Sequence, residues 1–379
     1  MTDVPTEVLF VIGSLEVGGA ERQLVEVCRR LDGRLWRPRV ATLGPAGPLG
    51  EPLRREGIEV RELRPRARAR GPRDWRRGVT MARSGMALRR LLAEPRRRIV
   101  HAYLHEATVV AAVALSGDAV TPFVLAKRSL VQSIAESPLY FRLARYASAR
   151  ANLIHVNSCA VGRDIVEKEG APKEKLRLVY NGVDTLRFRP LEPPRSGPRT
   201  RIGMLANLIP YKGHRESLEA VAALRQDFPT VELWVWGRDG PSGASVAELC
   251  RSLGLADRVR LLGIAQDPAE ALRQMDVFVS ASHEEGFSNS ILEAMATGLP
   301  VVATAVGGTV EQIRHDESGL LIPPGDSRAL AEALRAVLTD EALASRLGSA
   351  ARRRSVDRFS VERMVKETTA LYEELAVRP

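Results

Sequence analysis

Residues 283–303 read HEEGFSNSILEAMATGLPVVA. Glu284 and Glu285 stand ahead of Gly286 and Phe287, and a further acid, Glu293, follows in a short helical run. Ser288 and Asn289 lie where that run begins, and Gly298 and Pro300 end it. Carboxylates accept hydrogen bonds from hydroxyls, and the free N–H groups of a helix N-terminus attract anions. A turn carrying both suits a ligand rich in hydroxyls and phosphates. Glu285 and Glu293 do not share one helix face at this spacing, but both can line a pocket at the start of the helix. A plainer reading competes for Glu293, because Ser290-x-x-Glu293 spells a capping box that needs no ligand.

Other residues repeat this chemistry elsewhere. GGAER (18–22) follows an apolar run, and Gly18 and Gly19 would let a helix start approach a phosphate. It is not the G-x-G-x-x-G fingerprint, which weighs against a nicotinamide or flavin enzyme. NLIPYKGH (207–214) places Lys212 where its ammonium can meet a diphosphate. His101 and His105 flank a strand end and are either functional imidazoles or packed ones. H-E-x-x-H, C-x-x-C, D-x-D and G-x-S-x-G are all absent from the sequence, so neither a dedicated metal nor another resident cofactor is expected.

The elements that must hold these residues alternate along the chain. VLFVIGSL (8–15), RVATLG (39–44), IEVREL (58–63), IVHAYL (99–104), FVLAK (123–127) and LIHVNS (153–158) read as strands. Between the first two, ERQLVEVCRRL (21–31) sets Leu24, Val27, Cys28 and Leu31 on one helical face. LEPPRSGPR (191–199) breaks the pattern as a linker. The alternation then resumes with RIGMLA (201–206), VELWVWG (231–237), RVRLLG (258–263), VFVSAS (277–282) and PVVATAV (300–306). VERMVKETTALYEELAV (361–377) closes the chain as an amphipathic helix. The expectation is an α/β protein with a doubly wound domain over 1–190, a linker over 191–199, a second over 200–360 and a terminal helix over 361–379. Ligands of such sheets sit outside the carboxyl ends of the strands. With two sheets joined by a hinge, the site is expected in a cleft between them.

The bulk properties are consistent with this. A chain of 379 residues that is 45% hydrophobic suits two domains with sizeable cores. Its three cysteines, Cys28, Cys159 and Cys250, match no disulfide or metal spacing and point to a reducing compartment. The start carries no basic leader, and no run approaches ~18 apolar residues, so a cytoplasmic protein without a spanning helix is expected. The net charge of +10 is uneven: residues 1–190 hold 34 Lys and Arg against 20 Asp and Glu. The densest runs are 61–79 and Arg96–Arg98. With few aromatics near them beyond Trp75, single-stranded nucleic acid is disfavoured. An anionic membrane surface or an anionic acceptor suits them better, although 50 of the 56 basic residues are Arg, a compositional bias that explains them equally well.

GGAER, SCAVGRDIVEKEGAPKEKLRLVYNGVDTLRFRP (158–190), YKGH, DRVRLLG (257–263) and HEEGFSNSILEAMATGLPVVATAVGG (283–308), in this order, resemble retaining glycosyltransferases of family 4. The resemblance implies the GT-B fold, two Rossmann-like domains facing across a cleft, with the terminal helix crossing back onto the first. It implies that Glu285 contacts the donor sugar, that the backbone of Gly286, Phe287, Ser288 and Asn289 holds sugar and phosphate, and that Glu293 binds ribose. Lys212 would neutralise the leaving diphosphate, Gly18 and Gly19 would approach it, and Ile264 would lie near the base. Two positions depart from the pattern. Asn207 stands where the family usually has an Arg, and Lys127 and Arg128 stand where many members have a His. A cation there can stabilise charge or hold an anionic acceptor but cannot act as a base.

The function expected is transfer of a sugar, with retention, from a nucleoside-diphosphate sugar to a glycan or lipid-linked acceptor of cell-surface polysaccharide or glycolipid synthesis. Glu285, Lys212 and Arg128 would carry the chemistry, and His101, His105 and Lys127 would face the acceptor. The acceptor would be met at the inner membrane face. The rival from another class is a non-catalytic sugar-nucleotide-binding partner of a glycan assembly complex. An epimerase or phosphorylase on the same architecture is a third reading, and the stretch 158–190 weighs against it.

Overall fold

The computed structural model describes residues 4–64, 73–131, 138–192 and 197–376. Residues 65–72 of the Arg-rich run 61–79 lie outside these residues, as does part of the Pro-rich stretch 191–199. The chain forms two compact units, residues 1–181 with 362–379, and residues 182–361.

The first unit is built on a seven-stranded sheet. Its strands are β1 (Thr6–Ile12), β2 (Trp36–Thr42), β3 (Glu59–Glu62), β4 (Arg98–Tyr103), β5 (Phe123–Lys127), β6 (Leu153–Val156) and β7 (Leu176–Leu178). They lie in the order β3-β2-β1-β4-β5-β6-β7, with every pairing parallel. The second unit carries β8 (Arg201–Leu205), β9 (Glu232–Trp236), β10 (Val259–Leu261), β11 (Val277–Ser280), β12 (Val301–Thr304) and β13 (Leu320–Ile322). Their order is β10-β9-β8-β11-β12-β13, again parallel throughout. Each unit is therefore a Rossmann-like sheet whose strand order reverses between its first and fourth strands, the crevice where such sheets bind ligands.

The buried strands explain the unbroken apolar runs. Thr6 to Ile12 are all buried, as parallel strands covered on both faces must be. In the helix Gly19–Arg30, Leu24, Val27 and Cys28 are buried, and Leu31 caps the same face. The terminal helix Val361–Ala376 buries Val361, Met364, Val365, Leu371, Tyr372 and Leu375. From Glu362 it belongs to the first unit.

Two expectations need correcting. The units divide at Asn181 and Gly182, ahead of the Pro-rich stretch. The segment after the division is tied to the second unit: Val183 N–H donates to Phe359 O at 2.8 Å, and Arg352 donates to the carbonyls of Thr185 and Phe188. The cluster Arg96–Arg98 is also not a free basic patch. Arg98 is buried beside Glu7 and bonds the carbonyls of Leu91 and Glu94. Arg96 reaches Glu7 at 3.3 Å, and Arg97 donates to Ala376 O.

Candidate functional site

In the second unit, the reversal of strand order lies between β8 and β11. The loop after β8 holds a short 3-10 turn, Pro210–Lys212, ended by Gly213 in the left-handed region at φ +68°. A Cβ at Gly213 would sit 1.9 Å from the carbonyl oxygen of Ala281, so only glycine lets this loop press against the end of β11. His283 N–H bonds Tyr211 O at 2.8 Å and joins the same two loops. The result is a pair spanning the crevice: Lys212 Nζ lies 2.6 Å from Glu285 Oε1. Ser282 Oγ donates to the same oxygen at 2.9 Å. Both charged side chains are largely shielded from solvent yet not enclosed.

The turn carrying Glu285 is supported from β12. Gly308 N–H donates to Glu285 O, and Gly307, at φ +46°, passes so close that a Cβ would lie 1.9 Å from that oxygen. Gln312 then locks the start of the helix Asn289–Ala296. Its Oε1 accepts from Ser288 N–H at 3.0 Å and its Nε2 donates to Ser288 O at 2.7 Å. The N-cap is Ser288, whose hydroxyl accepts from Ile291 N–H. Ser290-x-x-Glu293 is therefore not the capping box its spelling suggests. Glu293 lies further into the helix and is buried, 6% exposed. Phe287 packs edge-on against Phe359 at 5.5 Å, so its side chain belongs to the core and only its backbone faces the turn. Gly286 and Asn289 flank it at the helix start, and Ile264, after β10, is half exposed. Asn207 points its Oδ1 at Arg238 N–H, 2.9 Å away, and its carbonyl meets His214 Nε2.

The first unit places its residues less uniformly. Gly18 and Gly19 do open a helix after β1, with no side-chain cap. The carboxyl of Glu21 folds back over Gly18, whose Cβ would come 2.2 Å from Glu21 Oε2. Burial pushes that carboxyl above its ordinary range. The expected phosphate approach thus already faces an acid of its own chain.

His101 and Lys127 are interior residues rather than acceptor contacts. Lys127 Nζ lies 2.7 Å from Glu169 Oε1, with both side chains essentially inaccessible, and Ser148 Oγ bonds the other carboxylate oxygen. Burial pulls the lysine's pKa down, partly offset by Glu169. His101 is fully buried. Its proton arrangement follows from its neighbours. His155 Nε2 faces Val179 O, which only accepts, so His155 carries its proton there and accepts at Nδ1. His101 Nε2 donates to that nitrogen, and His101 Nδ1 accepts from the Tyr372 hydroxyl at 2.8 Å. Burial holds both imidazoles neutral, far below their ordinary pKa. The chain of bonds docks the terminal helix.

His105 and Arg128 stand differently. His105 follows β4, at the reversal of the first sheet, just after Leu104 in the left-handed region at φ +67°. Its Nε2 bonds Ser129 Oγ at 3.0 Å, and its buried Nδ1 has no partner. Burial, with Lys127 nearby, lowers its pKa to about 4. Arg128 lies over the Tyr103 ring, 4.9 Å from its centroid, and donates to Asn181 Oδ1 at 2.6 Å. Ser282 and Gln312 escape sequence reasoning, since neither carries a spacing signal. Among the described residues, no group of three or more His, Cys, Asp or Glu is placed to hold a metal ion, and no helix is long and apolar enough to cross a membrane.

Comparison with known proteins agrees with this geometry. Residues 17–187 match the family model described as Glycosyltransferase Family 4, and residues 199–340 match the model described as Glycosyl transferases group 1. A D-inositol 3-phosphate glycosyltransferase of Salinispora arenicola is 33% identical over 249 residues, covering 60% of this chain and 55% of that protein. An exopolysaccharide phosphotransferase of Streptomyces coelicolor is 38% identical over 179 residues, 47% of this chain and 19% of that protein. The chain thus spans about half, or less, of these curated relatives. The crystal structure of Anabaena Alr3699/HepE in complex with UDP superposes with a TM-score of 0.81 at 23% identity, covering 97% of this chain and 100% of that one. Two regions that match glycosyltransferase family models thus lie on two Rossmann-like sheets, and the fold is that of GT-B glycosyltransferase structures.

Proposed function

We propose that the chain transfers a sugar from a nucleoside-diphosphate sugar, with retention at the anomeric carbon, to a glycan or lipid-linked acceptor at the inner membrane face. The observation that carries this reading is the Lys212–Glu285 pair at the reversal of strand order, beside a helix start fixed by Gln312. Glu285 Oε1 takes both Lys212 and Ser282, which leaves Oε2 to accept from donor-sugar hydroxyls. An ammonium has three donors, so Lys212 can keep Glu285 and still bond a phosphate oxygen. Departure of a nucleoside diphosphate builds negative charge that a preorganised cation meets without reorganisation. Arg128, over the Tyr103 ring, would stabilise charge or hold an anionic acceptor, and His105 would face the acceptor. No metal or other resident cofactor is required. The UDP bound in the HepE structure supports the donor class, and the glycosyltransferase named for the Salinispora relative supports sugar transfer.

The test is a screen of sugar nucleotides by thermal shift, followed by assay of nucleoside-diphosphate release and the anomeric configuration of the product. Transfer with retention, lowered at least about 100-fold by Glu285→Gln, is expected. Binding of a sugar nucleotide with neither transfer nor hydrolysis on any acceptor class would sink the catalytic reading.

A further inference from the structure

The edge of the second sheet reads across as a series of loops. Gly263 and Ile264 follow β10, Arg238 follows β9, Asn207 and Lys212 follow β8, and Ser282 and Glu285 follow β11. A cavity of about 500 Å³ opens among the first three, lined by Leu208, Val235, Gly237, Leu261 and Gly263, with Asp239 at its side. An extended nucleoside diphosphate sugar laid along this edge would put its base in that apolar-walled cavity and its sugar at Glu285. Its phosphates would then cross the ends of β8 and β9.

At that crossing the known cation is not free. Lys212 already faces the full charge of Glu285 at 2.6 Å. A diphosphate brings two or more negative charges, so one half-neutralised ammonium leaves most of that charge unmet. Other cations of these elements are engaged by acids: Arg215, in the helix after Gly213, by Glu219, and Arg260 of β10 by Glu232. Arg238 is exposed, and no ion pair or side-chain hydrogen bond of its guanidinium is found among the described residues. Its acidic neighbour Asp239 is engaged with the backbone. Asp239 Oδ1 accepts from Gly240 N–H and lies against Gly243, the first residue of the helix Gly243–Ser252.

The backbone of Arg238 is fixed although its side chain is free. Its N–H donates to Asn207 Oδ1 at 2.9 Å, and its carbonyl accepts from Leu208 N–H at 3.0 Å. One strand pairing below, Leu205 lies in register with Trp236, so the two loops leave the sheet side by side. Asn207 is itself held, its carbonyl bonded to His214. The amide of Asn207 thus fixes where an arginine on the neighbouring strand begins.

Resting on the sugar-nucleotide reading, we infer that Arg238 is the second cation of the diphosphate site and that Asn207 is its positioning residue. The guanidinium reaches back across the end of β9 and takes phosphate oxygens with two donors at once, opposite Lys212. The missing side-chain charge at position 207 is then supplied one strand away.

Calorimetry of the full chain with a nucleoside diphosphate, its monophosphate and its nucleoside tests this, after a thermal-shift panel has chosen the base. Arg238→Ala is expected to weaken the diphosphate at least tenfold, the monophosphate less and the nucleoside within twofold. Arg238→Lys should recover part of the loss. Asn207→Ala should weaken the diphosphate severalfold in the wild-type background and have little effect in Arg238→Ala, because both act through one guanidinium. Both side chains sit at the surface edge, so a circular dichroism spectrum like that of wild type is expected for each variant. Equal weakening of nucleoside and diphosphate would assign Arg238 to the base and overturn the inference, as would diphosphate binding within twofold of wild type. If the wild-type protein binds no nucleoside diphosphate at all, the underlying function fails instead, a result separable from the other two.

Discussion

Lys127→Met removes one charge from a buried pair and keeps an unbranched side chain one atom shorter. Both partners are enclosed, with Lys127 and Glu169 side chains 1% and 0% exposed and 2.7 Å apart. Methionine would leave the Glu169 carboxylate facing only Ser148, which bonds its Oε2 at 3.0 Å. An uncompensated carboxylate at such a site costs about 3–5 kcal/mol. Domain stabilities run to about 5–15 kcal/mol, so the first unit would be left near its unfolding threshold. The double variant Lys127→Met, Glu169→Gln removes both charges and leaves an amide that Ser148 can still bond. It should return to within about 2 kcal/mol of wild type; with Glu169→Gln alone also costing about 3–5 kcal/mol, the coupling free energy is at least about 4 kcal/mol. Urea denaturation followed by circular dichroism measures all four members of the cycle, with separate transitions fitted for the two units. The folded double variant also separates structure from chemistry: its turnover should stay within about threefold of wild type. A single-variant cost below about 1 kcal/mol would show that water reaches the pair and refute the reasoning. Turnover lost in a stable double variant would return Lys127 to the acceptor side.

Lys212→Ala should weaken a nucleoside diphosphate by about 1.5–3 kcal/mol, the range of a charge-assisted bond, and leave the free nucleoside almost unaffected; calorimetry with both ligands checks this. Glu293→Ala should reduce affinity for a ribonucleotide more than for its 2′-deoxy analogue, and because Ser288 is the cap, helix capping does not confound the comparison. Acid should destabilise the first unit. His101, His155 and His105 all have folded-state pKa values below the ordinary 6.5, so the unfolded chain takes up protons first. Stability is full above pH 6.5 and falls as pH drops, each histidine adding a slope of up to about 1.4 kcal/mol per pH unit, with His105 levelling off near about 4. Thermal unfolding scanned between pH 7 and 5 should show a falling midpoint, and a flat one contradicts the buried neutral imidazoles.

What could be read from the sequence follows from how each feature is encoded. Strands buried on both faces write themselves as apolar runs, as β1, β5, β11 and β12 do. β7 and β13 carry only LRL and LLI, three residues each at the sheet edges, too short for any period to register. Lys212 and Glu285 were legible because a charged residue beside Gly or Pro just past a strand has few other uses. Gln312 was not. It reaches Ser288 across 24 residues through two hydrogen bonds, and nothing local distinguishes it from a solvated glutamine.

Charge was the least legible property, because a sequence counts charges and a fold pairs them. Arg96–Arg98 read as a patch and are drawn into Glu7, nearby carbonyls and the terminal helix. Lys127 looked like an acceptor contact at a strand end and is sealed against Glu169, a residue 42 positions away. Arg238 is the opposite case. In an Arg-rich chain it looks like background, and its guanidinium gains meaning only because the cations around it are already paired. Asn207 likewise reads as a lost charge in the sequence, yet its amide fixes the backbone of the arginine beside it. In both directions the deciding quantity is whether a cation has a partner, and that is set by the folded chain and not by its composition.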